Sequence, residues 1–411
     1  MGIFEAIKPE HALWIIALVL VASAPAILRP LPAGNDPYYY LAGKTIGLDI
    51  EPYPLVIQTL GDYLWVLVPL CLLSITLATY FLAREWGAKE PLWAVALLFG
   101  APLLVFRLSI IEDDLIGLAL CFWGLYFWVK YWNARLPSNH SDTKAMQVKT
   151  TYSSLCFALI LAGLLFWRGA YVFIALLVLD FGARWKHTWP GKAWLIAAMG
   201  ALCLHLPIPS LSIGEHVPFI AFPIGMLILI AGVPEIREKW VPTSLRTTAI
   251  FFVGLALLMG KFLVLGAIPL AVLTERVVQE RNKKDTVLPV IAAVMVLSAW
   301  MVWAAPPSEL EMQTIASVKS ITGNALIAND WELGHWLTYQ GANPAYTPLY
   351  PPSRRALLSR TQGVAKDNES LSKTQEDYVN GEYALTSRVS LPFEVVAHYP
   401  LTNLTLYRVR Q

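Results

Sequence analysis

Glu112, Asp113 and Asp114 stand in a row at the seam between two apolar runs, 92–106 and 115–128. Carboxylates beside a bilayer are costly to desolvate, so each needs a cationic partner. Three side by side also repel one another, and oxygen-rich clusters of this kind suit Mg²⁺ or Mn²⁺. Two further acids lie in comparable settings. Asp36 directly precedes Pro37, and Glu215, followed by His216, stands just ahead of another apolar run. Lys261 sits alone between two more. Each has a plainer reading: a solvated interfacial turn for the triplet, a turn initiator for Asp36, an interfacial pair for Glu215 and His216.

The elements that must position these residues are membrane spans. Hydrophobic residues make up 56% of the 411-residue chain, charged residues 15%, and mean hydropathy is +0.53. That composition excludes an ordinary soluble protein and implies a polytopic membrane protein. The net charge of +2 assigns no partner, and no nucleic-acid partner is expected. Cys71, Cys121, Cys156 and Cys203 lie in apolar runs without disulfide or metal-ligand spacing. About eleven spans are expected, at 11–28, 63–83, 92–106, 115–132, 152–167, 170–183, 193–206, 218–234, 247–260, 262–276 and 287–303. The first lacks a cleavage site and is read as a span rather than a removable signal.

Loop charge sets the expected orientation. Alternate loops hold Arg84 and Lys89, then Lys130 to Lys149, Arg184 to Lys192, Arg237 to Arg246, and Arg276 to Lys284. The loops between them hold only Arg29, Lys44, Arg107, Arg168 and Lys261. The positive-inside rule makes the first set, and the N-terminus, cytoplasmic. Asp36, Glu112, Asp114, Glu215 and everything after Trp303 then share the outer face. The first outer loop, 29–62, is long, aromatic and proline-rich, which marks it as functional rather than a connector. Residues 304–411 read as a small α/β domain: a helix over 308–320, a strand in ALIAND, and strands at 393–398 and 404–409. Sequons at Asn139, Asn368 and Asn403 are given no role.

At these residues the chain resembles the catalytic subunit family of the oligosaccharyltransferases, which has the GT-C glycosyltransferase fold. Asn35-Asp36-Pro37-Tyr38-Tyr39 is similar to that family's first-loop DPYY segment. Glu112-Asp113-Asp114 is similar to its acid-x-acid motif at the head of a span. Phe166 to Phe173, FWRGAYVF, resembles its WGGYVF hairpin, and Ser212 to Pro218, SIGEHVP, resembles its SVSEHQP element. Lys261 falls where the family has an arginine, and Asp330-Trp331-Glu332-Leu333-Gly334 where it has WWDYG. The first tryptophan of that signature is missing, and glutamate replaces aspartate.

The resemblance implies an inverting transfer from a polyprenyl-(pyro)phosphate sugar donor to an acceptor on the outer face. It implies Mn²⁺ or Mg²⁺ on Asp36, Glu112, Asp114 and Glu215. It also implies donor or acceptor contacts from Lys261, His216, Trp331, Glu332 and His335. Sequon asparagine is the expected acceptor; a glycan, lipid or Ser/Thr acceptor is the alternative. A transporter would show internal repeats with matched broken helices, and none is found. A non-catalytic assembly subunit would be expected to lack the acids.

Overall fold

A computed structural model of the chain describes residues 7–32, 36–42, 52–111, 114–134, 143–183, 227–258, 263–305, 307–330, 333–345, 381–387 and 390–409. Two compact units emerge, one of Met1–Leu28 with Val66–Trp303, the other of Arg29–Trp65 with Ala304–Gln411. The long first loop therefore packs with the C-terminal residues.

The first unit is helical. Its described helices are α1 (Pro9–Leu28), α4 (Leu67–Glu85), α5 (Pro91–Leu98), α6 (Pro102–Ser109), α7 (Asp114–Asn133), α8 (Thr143–Phe166), α9 (Tyr171–Ala183), α10 (Thr243–Leu258), α11 (Leu263–Glu280) and α12 (Lys284–Trp303). Among the described residues, five helical stretches are long and apolar enough to cross a membrane: Pro9–Leu28, Leu55–Glu85, Asp114–Asn133, Gln147–Phe166 and Lys284–Trp303. The polytopic helical class expected from composition is found.

The span expected at 92–106 is not one helix. It breaks after Leu98 into two eight-residue helices, α5 and α6. The cause is Pro102, which disfavours helical backbone at the residue before it. Ala101 is extended (φ −106°, ψ 101°), and Pro102 then opens α6. The expected span at 218–234 also differs in its described part, where Leu227–Gly232 and Pro234–Arg237 form 3₁₀ turns. The expected span at 193–206 lies outside the described residues.

α7 and α8 pack through small residues. A Cβ on Gly117 would lie 2.4 Å from Trp167 Cβ, and one on Gly163 would lie 2.5 Å from Cys121 Sγ. One on Gly124 would meet Ile160 at 2.7 Å. Such close approach is how membrane helices gain contact where lipid supplies no hydrophobic drive. Elsewhere Glu275, fully buried on α11, accepts the Glu90 backbone N–H at 3.0 Å and so holds the start of α5.

The second unit contains α2 (Asp36–Leu41), α3 (Pro52–Leu60), α13 (Glu309–Thr322), α14 (Gly334–Tyr339) and a five-stranded sheet. The strands are β1 (Leu326–Asn329), β2 (Asn343–Pro344), β3 (Tyr383–Thr386), β4 (Glu394–Tyr399) and β5 (Leu404–Arg408), in the order β2-β1-β3-β5-β4. β1 runs parallel to β2 and β3, while β5 is antiparallel to β3 and β4. α13 starts where the sequence placed it, because Ser308 and Glu311 form a reciprocal capping box. Met312, Ile315 and Val318 of α13 pack with Ile327, Leu337, Leu385 and Leu406.

Candidate active site

Asp114 opens α7 and is 6% exposed. Its Oδ2 accepts two hydrogen bonds from Arg107, from Nη2 at 2.9 Å and Nε at 3.2 Å. Arg107 lies in the last turn of α6, so the break before α7 is what lets a guanidinium reach back to the acid. A carboxylate this buried needs such a partner, and the fork geometry of arginine supplies it. Sequence reasoning counted Arg107 only as an outer-loop charge. Its position seven residues before a buried acid, with no helix long enough to separate them, was the available signal.

Asp36 is the first residue of α2. Two residues on, the Tyr38 ring is 1% exposed and belongs to the core of the second unit. It meets Tyr339 of α14 edge-to-face at 5.3 Å, and its hydroxyl donates to the Pro32 carbonyl at 2.9 Å. Burial pushes the Tyr38 phenol above its ordinary range, while the nearby Arg29 guanidinium opposes that shift. Arg29 in turn donates to the Pro307 carbonyl at 2.8 Å. The aspartate's backbone is thus seated on a helix anchored by a core tyrosine, a role that the motif alone did not reveal.

Asp330, which precedes Trp331 and Glu332 in sequence, is also held in place. Asp330 is 4% exposed; its Oδ1 accepts from Thr386 Oγ1 and its Oδ2 from the Ser387 backbone N–H, both at 2.9 Å. Asp330 is therefore a clasp between the end of β1 and the end of β3. A tryptophan substituted there would remove that clasp rather than complete a pocket. His335, in the first turn of α14, is fully buried, and burial brings its pKa down to about 4. Within the described structure its ring meets no solvent.

This yields a pH prediction. His335 is neutral in the fold and protonates in the unfolded chain near its ordinary pKa of about 6.5. Its folded pKa is lowered, so no penalty exists above pH 6.5. Stability then falls as pH drops from about 6.5 to about 4, by roughly 1.4 kcal/mol per pH unit. His335→Leu is expected to flatten that part of a stability–pH curve measured by thermal unfolding.

Glu112, Glu215, His216, Lys261, Trp331 and Glu332 lie outside the described residues, as does the Asp36 side chain. Among the described residues no three His, Cys, Asp or Glu side chains gather into a potential metal site. The candidate donor set still fits a hard divalent cation in kind, being four carboxylates without a thiol. The one member with a described side chain, Asp114, is buried, with its Oδ2 held by Arg107.

The architecture that results, helical spans with a small C-terminal sheet, is one found among solved structures. The chain is similar to the crystal structure of the Archaeoglobus fulgidus oligosaccharyltransferase in the apo form, with a TM-score of 0.61 at 12% identity, over 92% of this chain and 69% of that one. It is also similar to ArnT from Cupriavidus metallidurans in the apo state, with a TM-score of 0.58 at 14% identity, over 96% of this chain and 97% of that one. No known family description matches the sequence, and no curated protein does.

Proposed function

We propose that the protein is a membrane glycosyltransferase that moves a sugar or oligosaccharide from a polyprenyl-(pyro)phosphate donor to an acceptor on the outer face of the membrane. The observation that carries the reading is the GT-C likeness over 92% and 96% of the chain. In this reading Asp36, Glu112, Asp114 and Glu215 hold Mn²⁺ or Mg²⁺. When bound, that ion neutralises charge on the departing phosphate. The chain's own residues do the rest. Arg107 orients Asp114. Lys261 lies against the same phosphate oxygens as a point charge. Asp36 orients the acceptor and takes its proton. Trp331, Glu332 and His216 border the acceptor and donor. His335 is assigned to packing, because the described structure buries it.

Sequon asparagine is the first acceptor to test. A site built to bind the Ser/Thr hydroxyl rejects a peptide without it, since its own polar groups are left unpaired. An Asn-x-Thr peptide is therefore expected to be glycosylated at least ~10-fold faster than Asn-x-Ala by membranes supplied with extracted lipid-linked glycan. The margin should be smaller than a complete WWDYG would give, because one tryptophan wall is missing and the acid is a methylene longer. A second reading, transfer to a glycan, lipid or Ser/Thr acceptor, is favoured by the departure from WWDYG, where Asp330 stands in place of the first tryptophan and is clasped by Thr386 and Ser387. Transfer to such an acceptor without any peptide product would select this second reading and leave the donor chemistry standing.

A further inference from the structure

Of the three sequons, Asn403-Leu404-Thr405 lies among the described residues, where its setting can be read. Asn403 ends the turn between β4 and β5, and Leu404 opens β5. The asparagine backbone is left-handed, with φ at 57°, a conformation that asparagine enters more readily than most residues. The tip of this hairpin stands in solvent: Leu401 is 82% exposed, and Asn403 is exposed with it. Leu404 points the other way, 3% exposed in the core that includes Ile315 and Leu406. Thr405 returns to the outer face, as strand alternation requires, and its Oγ1 lies 2.9 Å from His398 Nδ1 at an exposed position.

The amide of Asn403 and the hydroxyl of Thr405 are thus on the surface together, while the residue between them serves the core. A glycosylation sequon needs this context, an asparagine on a surface loop with its hydroxyl residue beside it. Turn and strand preferences explain each residue alone: asparagine suits a left-handed turn, and threonine suits a strand. Neither preference ties down the amide nitrogen. Asn403 Nδ2 donates to the Ser387 carbonyl at 3.3 Å, beyond the usual length of an N–H···O bond and at an exposed position. Water replaces such a bond at little net cost, so the amide is available for reaction. Transfer forms a bond from that nitrogen to the anomeric carbon of a sugar. The bond from the same carbon to the phosphate oxygen of a polyprenyl-(pyro)phosphate donor breaks, and the oxygen leaves with the electron pair. One amide proton passes to a carboxylate base of the transferase.

We propose that Asn403 is an acceptor for an N-linked glycan, which rests on the outer-face placement of the second unit in the reading above. The test is mass spectrometry of the peptide containing Asn403, cut from the full chain purified from its native membranes. A glycan mass on Asn403 is expected in most copies. Asn403→Asp keeps a short polar side chain that tolerates the left-handed turn but removes the amide nitrogen, so it is expected to abolish the modification and leave the hairpin folded. Thr405→Ser is expected to keep the glycan, and Thr405→Ala to lower occupancy at least ~10-fold, because the hydroxyl is no longer there to be recognised. An unmodified Asn403 in the folded native chain would overturn the proposal, as would equal occupancy in the Thr405→Ala variant. A Leu401→Cys variant, in a chain whose native cysteines are replaced, separates this result from failure of the outer-face reading. Labelling of that position by a membrane-impermeant reagent, with Asn403 bare, overturns the acceptor alone. Protection of that position from the reagent overturns the outer-face placement as well.

Discussion

Sugar transfer by an Asp36→Ala variant is expected to fall by roughly 10²–10⁴-fold, the span that a positioned acid or base contributes. Folding should hardly change. Asp36 opens a six-residue helix, so its carboxylate adds at most ~1 kcal/mol through the helix N-terminus. What seats that helix is Tyr38, buried to 1% exposure in the core with Trp336 and Leu337. Tyr38→Ala is the contrasting variant, expected to cost about 3–5 kcal/mol of stability as other buried aromatic truncations do. Transfer from a polyprenyl-linked donor, measured beside thermal unfolding, separates the two. An Asp36→Ala protein that folds and transfers normally would remove Asp36 from the chemistry.

Replacing Arg107 with leucine is expected to destabilise the first unit by about 3 kcal/mol, because a charge buried at Asp114 loses its counterion. Asp114 is 8% exposed at its side chain and Arg107 30%, so little solvent is present to screen the loss. Adding Asp114→Asn to Arg107→Leu should recover most of the deficit, since the orphaned charge is gone. Thermal unfolding of detergent-purified protein provides both numbers. The single variant also reports on the metal. Mn²⁺ or Mg²⁺ should restore part of its stability if Asp114 is a ligand, and the double variant should not respond. An Arg107→Leu protein as stable as the parent would show that the pair contributes nothing.

Local signals were legible in the sequence. The helix over 308–320 and the alternating strand in ALIAND were both readable from local pattern, and they appear as α13 and β1. Asp114 was correctly placed at the head of a helix, and the proline rule would have predicted the break at Ala101 had it been weighed against hydropathy. β3 went unread because four residues, Tyr383–Thr386, carry too short an alternation to stand out. Long-range pairings left no local trace. Neither the seat of Tyr38 beneath α14, nor the clasp of Asp330 on Thr386, nor the Glu275 bond to Glu90 follows from periodicity or loop charge. Each depends on which distant segments meet, which one sequence read alone does not encode locally.

The second unit is built from both ends of the chain, and this imposes an order on its making. Arg29 and its Pro307 partner are 278 residues apart, and the strands that complete the core, β4 and β5, are made later still. At ribosomal speed the segment bearing Asp36 waits tens of seconds for the residues that will enclose it. During that wait Tyr38 has no core to enter. The aspartate motif therefore acquires its seat only after the spans have been threaded and the last strand delivered. A stalled or prematurely ended chain would leave this segment without its core and open to proteolysis.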